Sequence, residues 1–126
     1  MRKWNLFAIL FFLFMFLFSG TGNAAGTELM TAFSVRITVV ENGIEYEWEY
    51  DSPSHYEFEQ GERVIKGAAA KEKVEQMVND LKLDEEEEVE AFVSRLQKSS
   101  YPNIERLDIR YMNGEGKLYT WVWEGK

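Results

Sequence analysis

Glu45, Glu47 and Glu49 stand at alternate positions in a stretch whose other positions are large and apolar. Strict alternation is typical of a β-strand, because successive side chains of a strand point to opposite faces. The three carboxylates then share one face and lie about 6.6–7 Å apart along it. That spacing suits contact with a basic partner or weak binding of a cation. A dedicated Ca²⁺ site gathers about 6–8 oxygen ligands around one point, which a straight row does not do.

The same polar face is predicted to carry three arginines: Arg36, Arg106 and Arg110. These cations can neutralise the carboxylates, and the simplest interpretation is a solvated face whose charges are paired with one another. The candidate interaction face therefore consists of the three glutamates and the three arginines. No catalytic, cofactor-binding or metal-binding role is assigned to any of them.

Residues 84–88 form a continuous acidic run. Acidic side chains at the N-terminus of a helix complement the positive end of its dipole, and each contributes about 0.3–1 kcal/mol. The run is therefore predicted to open a helix, with Asp84 as the N-cap and Glu87 completing an approximate capping box. The sequence contains no D-x-D-x-D-G loop of the calcium-binding type.

The chain has one histidine, His55, and no cysteine. His55 follows Ser52 and Ser54, but residues this close in a turn rarely reach the geometry of a Ser–His pair, and no G-x-S-x-G context is present. His55 is predicted to be a surface loop residue. The absence of cysteine excludes disulfides, thiolate chemistry and a lipid-modified cysteine. These observations predict a protein that is not an enzyme and that needs no cofactor, with a carboxylate-based hydrolase as the least favoured alternative.

The elements that hold the carboxylate row begin with a hairpin. Asn42-Gly43 separates two alternating runs, and this dipeptide favours a type I′ turn because both central residues need positive φ. A two-residue loop fixes the register and places Trp48 opposite Ile37 and Arg36 opposite Glu49. The residues of the first strand expected on the core face are Phe33, Val35, Ile37 and Val39.

The middle of the chain predicts a short strand and then two helices. Residues 56–60 alternate as a third strand, which residues 63–66 could continue as a second arm after Gly61. Two apolar stripes follow at positions i, i+3, i+4 and i+7, which is the helical spacing. The first stripe is Val74, Met77, Val78 and Leu81, and the second is Val89, Phe92, Val93 and Leu96. A break at Lys82-Leu83 makes them an αα-hairpin.

A late hairpin leaves two registers open. Its first strand carries Leu107, Ile109 and Tyr111, and its turn is residues 113–116. A loop with an even number of residues would put Leu118, Thr120 and Val122 on the core face. A three-residue loop with Gly116 in the left-handed conformation would instead put Tyr119, Trp121 and Trp123 there. We favour the second register, because glycine suits that position and the aromatic residues bury more apolar area.

Together these elements predict an α+β two-layer sandwich in the order β-β-β-α-α-β-β. An antiparallel sheet of four to five strands has two helices packed on one face. Core packing explains the aromatic residues of the strands more simply than a ligand groove does: Tyr46, Trp48, Tyr50, Trp121 and Trp123. The predicted organisation is a signal peptide at residues 1–25, a flexible leader at 26–31 and one domain at 32–126.

The N-terminus and the charge predict where the protein acts. Residues 6–18 are apolar without interruption, after Arg2 and Lys3 and before a small-residue cleavage motif at Gly22-Asn23-Ala24. The apolar stretch would reach only about 20 Å as a helix, short of the roughly 30 Å hydrocarbon core. This predicts a secreted or extracytoplasmic protein, with an uncleaved membrane anchor as the alternative. The net charge of −8 argues against nucleic acids and anionic membrane surfaces as partners.

The strand pattern, the helix pair and the late run from Tyr101 through residues 105–111 to the Asn113-Gly114 turn resemble the YusW-like family of small exported bacterial proteins. The resemblance covers Phe33 to Trp123. It implies export and this α+β fold, and it carries no activity or site residues. Family members that look like lipoproteins have a lipid-modified cysteine, and this chain departs from them in having none.

The sequence therefore predicts an exported, non-enzymatic binding module whose partner is an extracytoplasmic protein or a component of the cell envelope. The alternative is an acidic cation-binding or structural protein of the envelope. The specific partner and the oligomeric state are left open.

Overall fold

The computed structural model describes residue 29 and residues 31–126. The elements follow one another as β1 (Ala32–Glu41), β2 (Ile44–Asp51), β3 (His55–Gln60), β4 (Arg63–Lys66), α1 (Ala68–Leu81), α2 (Val89–Lys98), β5 (Ile104–Asn113) and β6 (Leu118–Glu124). The predicted signal peptide, and residues 26–28 and 30 of the predicted leader, lie outside the described residues. Leu29, near the end of that leader, is 4% exposed and lies in the core.

All the strands belong to one antiparallel sheet with the order β4-β3-β2-β1-β5-β6. The predicted α+β class is confirmed, with a six-stranded sheet in place of four to five strands. The difference arises after β3, where Gly61 adopts a φ of 58° and the chain reverses. Gln60 then pairs with Arg63, so residues 63–66 form a separate edge strand.

The first hairpin has the register that its turn predicts. Asn42 and Gly43 adopt φ values of 52° and 76°, as a type I′ turn requires. Trp48 lies opposite Ile37, and Arg36 lies opposite Glu49. The aromatic side of β2 therefore faces the core, and its acidic side faces away from it.

The late hairpin takes the three-residue loop. Gly116 has a φ of 83°, and the backbone N–H of Asn113 donates to the carbonyl of Lys117 at 3.0 Å. Trp121 consequently lies opposite Ile109 and packs against the core. The favoured register is confirmed, and Leu118 and Val122 are left on the other face of β6.

Both helices cover the same face of the sheet. α1 packs on β2, β3 and β4, whereas α2 packs on β5 and β6. The largest fully buried side chains lie between the two layers: Phe92, Ile37, Leu81, Leu96, Leu107, Ile109, Val35, Val39, Val74 and Val78. Trp48 and Tyr50, at 4% and 3% exposed, belong to this core. Within the part of the chain that the structure describes, neither helix has the length and hydrophobicity needed to cross a bilayer.

The predicted break between the helices is confirmed, but the predicted start of the second helix is wrong. α2 begins at Val89 and not at Asp84. The carboxylate of Asp84 accepts a hydrogen bond from the backbone N–H of Glu86 at 2.9 Å, which closes an Asx turn. Asp84 and Glu88 would also repel each other at the i, i+4 spacing of a helix. The capping box therefore does not form, and the acidic run is a loop.

The predicted core position of Phe33 is also wrong, because Phe33 is 58% exposed. The register between β1 and β5 shifts between Ala32 and Ser34, as in a β-bulge. One extra residue in a strand reverses the alternation of its side chains. Ala32, at 4% exposed, consequently points into the core in place of Phe33.

Candidate functional site

No element of the described chain covers the face of the sheet that lies opposite the helices, which we call the open face. The pairing of β2 with β3 places the acidic side chains of both strands together on it. These carboxylates form what we call the acidic patch: Glu45, Glu47, Glu49, Asp51, Glu57 and Glu59. The sequence prediction contained only the glutamates of β2. The alternation in residues 56–60 was the signal that could have added Glu57 and Glu59.

The acidic patch brings like charges into direct opposition. Glu47 is the cross-strand partner of Glu59, and Glu49 is the partner of Glu57. Directly opposed like charges destabilise an antiparallel sheet. A second strand of carboxylates also widens the patch, since strands lie about 4.8 Å apart. The result is a two-dimensional array of negative charge.

Arg36 on β1 is the arginine that reaches into this array. Its Nε lies 3.2 Å from Oε1 of Glu47, and its Nη2 donates a hydrogen bond to the carboxylate of Glu49. The hydrogen bond with Glu49, aided by the nearby carboxylates of Glu47 and Asp51, raises the pKa of Arg36. One guanidinium thus neutralises part of the acidic patch.

Two carboxyl groups of the acidic patch, Glu47 and Glu59, have raised pKa values. Partial burial raises the pKa of Glu47, and repulsion from Glu59, Glu49 and Glu45 adds to it although Arg36 opposes the shift. Partial burial also raises the pKa of Glu59, as do its hydrogen bond with Glu57 and repulsion from Glu57, Glu49 and Glu45. Because Arg36 pairs with only two of its six carboxylates, the acidic patch contains more negative charge than that guanidinium neutralises.

The predicted pairing of the glutamates with Arg106 and Arg110 is not found. Both arginines lie on β5, which β1 separates from β2. Arg106 instead bonds to Glu124 at 2.8 Å and lies 3.6 Å from Asp108. Arg110 lies opposite Arg36 and makes no ion pair with any described residue. The six predicted residues share the open face, but only Arg36 contacts the glutamate row.

The half of the open face formed by β5 and β6 has a different character. Leu118 and Val122 are 54% and 51% exposed there, and the sequence analysis had given them no functional role. The register of the late hairpin could have indicated this exposure. The three-residue loop that ends at Gly116 turns the aromatic residues of β6 towards the core and leaves Leu118 and Val122 on the open face. The open face is therefore acidic on one side and apolar, with arginines, on the other.

The other candidate residues contact neighbouring side chains. His55 is exposed, as predicted, but it is the first residue of β3 and not a loop residue, and it lies 3.6 Å from the carboxylate of Glu57. Glu87 in the acidic loop accepts a hydrogen bond from Arg95 at 2.8 Å, and Glu85 accepts one from Asn113 at 3.2 Å. Among the described residues, no group of three or more histidine or acidic side chains is placed to hold a metal ion.

Replacing Glu59 by glutamine is expected to stabilise the protein at pH 7 by about 0.2–1 kcal/mol, because it removes a like-charge pair with Glu47. The pKa of the Glu59 carboxyl is raised in the folded protein, so at this group the folded state binds more protons than the unfolded state. The charged carboxylate of Glu59 therefore lowers the stability of the protein as the pH rises above the ordinary pKa of 4.5. The stabilisation by Glu59→Gln should therefore disappear below about pH 4. Urea denaturation of the two proteins, followed by tryptophan fluorescence at neutral and at acidic pH, measures this difference in the free energy of unfolding.

The matched control for this prediction is Glu115→Gln, which removes the same formal charge in the exposed loop of the late hairpin. Its effect at pH 7 should be smaller than that of Glu59→Gln. Equal stabilisation by the two substitutions would show that overall charge, and not the acidic patch, is responsible.

Comparison with protein-family models, curated proteins and solved structures finds no match to this chain. The resemblance to the YusW-like family stays a prediction from the sequence.

Proposed function

We propose that this protein is a non-enzymatic binding module, exported from the cell, that holds a basic partner on its open face. The observation that carries the proposal is the acidic patch, where Glu47 faces Glu59 and Glu49 faces Glu57 across the strands while Arg36 pairs with Glu47 and Glu49 alone. Any cation that approaches this array relieves the repulsion between its carboxylates. The partner class is a lysine- or arginine-rich segment of an extracytoplasmic protein or of a cell-envelope component.

The shape of the acidic patch favours an extended polycation over a single metal ion. Its carboxylates are spaced about 6.6–7 Å along each strand and about 4.8 Å between strands. A chain of basic side chains can match such an array, whereas a Ca²⁺ ion requires its oxygen ligands within about 2.3–2.6 Å. This geometry ranks the basic partner above the alternative, an acidic cation-binding or structural envelope protein.

Titration calorimetry with a lysine-rich peptide and, separately, with Ca²⁺ tests the proposal. The triple variant Glu45→Gln, Glu47→Gln and Glu59→Gln keeps the pair between Arg36 and Glu49. We expect it to weaken peptide binding by about tenfold at low salt, which corresponds to about 1.4 kcal/mol. Binding by the unchanged protein should itself weaken as salt shortens the screening length to about 10 Å at 0.1 M.

A control variant removes the same charge elsewhere through Glu72→Gln, Glu86→Gln and Glu115→Gln, which lie at exposed positions. It should bind the peptide nearly as well as the unchanged protein. An equal loss in the control would mean that net charge alone attracts the peptide. Strong heat with Ca²⁺ and none with the peptide would support the cation-binding alternative instead.

A further inference from the structure

The two edges of the sheet are built differently. β4 has four residues and carries the cations Arg63 and Lys66 at its ends. β6 has seven residues, Leu118–Glu124, and contains no proline, glycine, lysine or arginine. Short length and charge are devices that protect an edge strand from pairing with other chains. β4 has both devices, whereas β6 has a charged residue only at its end.

Among the described residues, no strand pairs with the outer side of β6, which therefore presents unpaired backbone groups. At the two ends of the β5–β6 ladder, Asn113 N–H donates to the Lys117 carbonyl at 3.0 Å and Gly125 N–H donates to the Glu105 carbonyl at 2.8 Å. Hydrogen-bonded pairs recur at every second residue of an antiparallel ladder. Tyr119, Trp121 and Trp123 therefore turn their N–H and C=O groups towards β5. The groups that point outwards belong to Leu118, Thr120, Val122 and Glu124.

The same outward-facing residues place apolar side chains at the edge. Leu118 and Val122 are 54% and 51% exposed, and Thr120 lies between them. The negative charge of Glu124 is neutralised by its 2.8 Å bond to Arg106. The edge thus offers a regular backbone and apolar side chains without an uncompensated charge among them.

We propose that a second copy of this chain pairs antiparallel with β6, with the two Thr120 residues facing each other across a two-fold axis. In this register only outward-pointing backbone groups meet, and Leu118 of each copy lies opposite Val122 of the other. Moving the axis to Trp121 would place Leu118 opposite Glu124 and would leave both apolar side chains beside polar ones. The two sheets then continue into one another.

The net charge of −8 does not prevent this association. The acidic patch lies on β2 and β3, and β1 and β5 separate it from β6. The two β2 strands in the pair would lie seven strand spacings apart, or about 34 Å at about 4.8 Å each. Charges so far apart are screened, since the screening length is about 8 Å at physiological salt.

A single cysteine introduced into the full, cysteine-free chain tests the pairing. Thr120→Cys would face its own copy at a Cα separation of about 5.5 Å, within the 4.4–6.8 Å range of disulfides. Mild oxidation should therefore produce a covalent dimer on a non-reducing gel. The control Val64→Cys is 49% exposed at the opposite edge and should stay monomeric.

Charge substitutions in the Thr120→Cys background identify the register. Leu118→Lys alone and Val122→Glu alone should each reduce the cross-linked dimer several-fold. The double variant should restore it, because each new charge faces its opposite on the second copy, while the two positions are too far apart within one strand to pair. A monomeric Thr120→Cys protein with an unchanged melting temperature, equal cross-linking at Val64, or no restoration in the double variant would overturn the proposal.

Discussion

Replacing Phe92 by alanine is expected to lower the free energy of unfolding by about 3–5 kcal/mol, the range found for deletion of a buried aromatic ring. Phe92 is 0% exposed, and its ring meets Trp121 edge-on at a centroid distance of 5.4 Å. It joins α2 to β6, so its removal leaves a cavity between the two layers of the fold. Urea denaturation followed by tryptophan fluorescence measures the change.

The control for this prediction is Phe33→Ala, which makes the same chemical change at a side chain that is 58% exposed. Its effect should stay within about 0.5 kcal/mol, as is usual for surface substitutions. A comparable loss from both variants would mean that the bulge at the start of β1 does not turn Phe33 out of the core.

The parts of the fold that could be predicted from the sequence are those fixed by local chemistry. Asn42-Gly43 determines a two-residue turn, and that turn sets every pair between β1 and β2. Gly116 does the same for β5 and β6, because its φ of 83° suits a three-residue loop. In both hairpins a glycine conformation and an apolar alternation point to the same register, so the prediction was confirmed.

The parts that failed depend on partners distant in the sequence. The bulge that exposes Phe33 is defined by the pairing of β1 with β5, which lies beyond both helices. The order of strands is equally non-local, and it places β1 between the glutamates of β2 and the arginines of β5. Periodicity assigns Arg106 and Arg110 to the correct face, but it cannot tell which strands are neighbours.

The acidic loop between the helices shows how composition can mislead. Five consecutive acids at residues 84–88 suggested the N-terminus of a helix. In the structure the loop is instead held by side chains of three elements: Arg95 of α2, Asn113 of β5 and Trp121 of β6. Arg95 of α2 donates to the carboxylate of Glu87 at 2.8 Å and to the carbonyl of Leu81 at 2.9 Å. The indole N–H of Trp121 donates to the carbonyl of Glu87, also at 2.8 Å.

These contacts make Arg95 the residue that ties the end of α1 to the loop and to α2. Replacing Arg95 by methionine keeps an apolar stem near Phe92 but removes both hydrogen bonds, and we expect a loss of about 1.5–3 kcal/mol in the free energy of unfolding. Glu87→Gln keeps an acceptor and should cost less, because the bond from Arg95 to the Leu81 carbonyl survives. Chemical denaturation of both variants gives the comparison. Equal losses would show that the ion pair with Glu87, and not the capping of the Leu81 carbonyl at the end of α1, accounts for the contribution of Arg95.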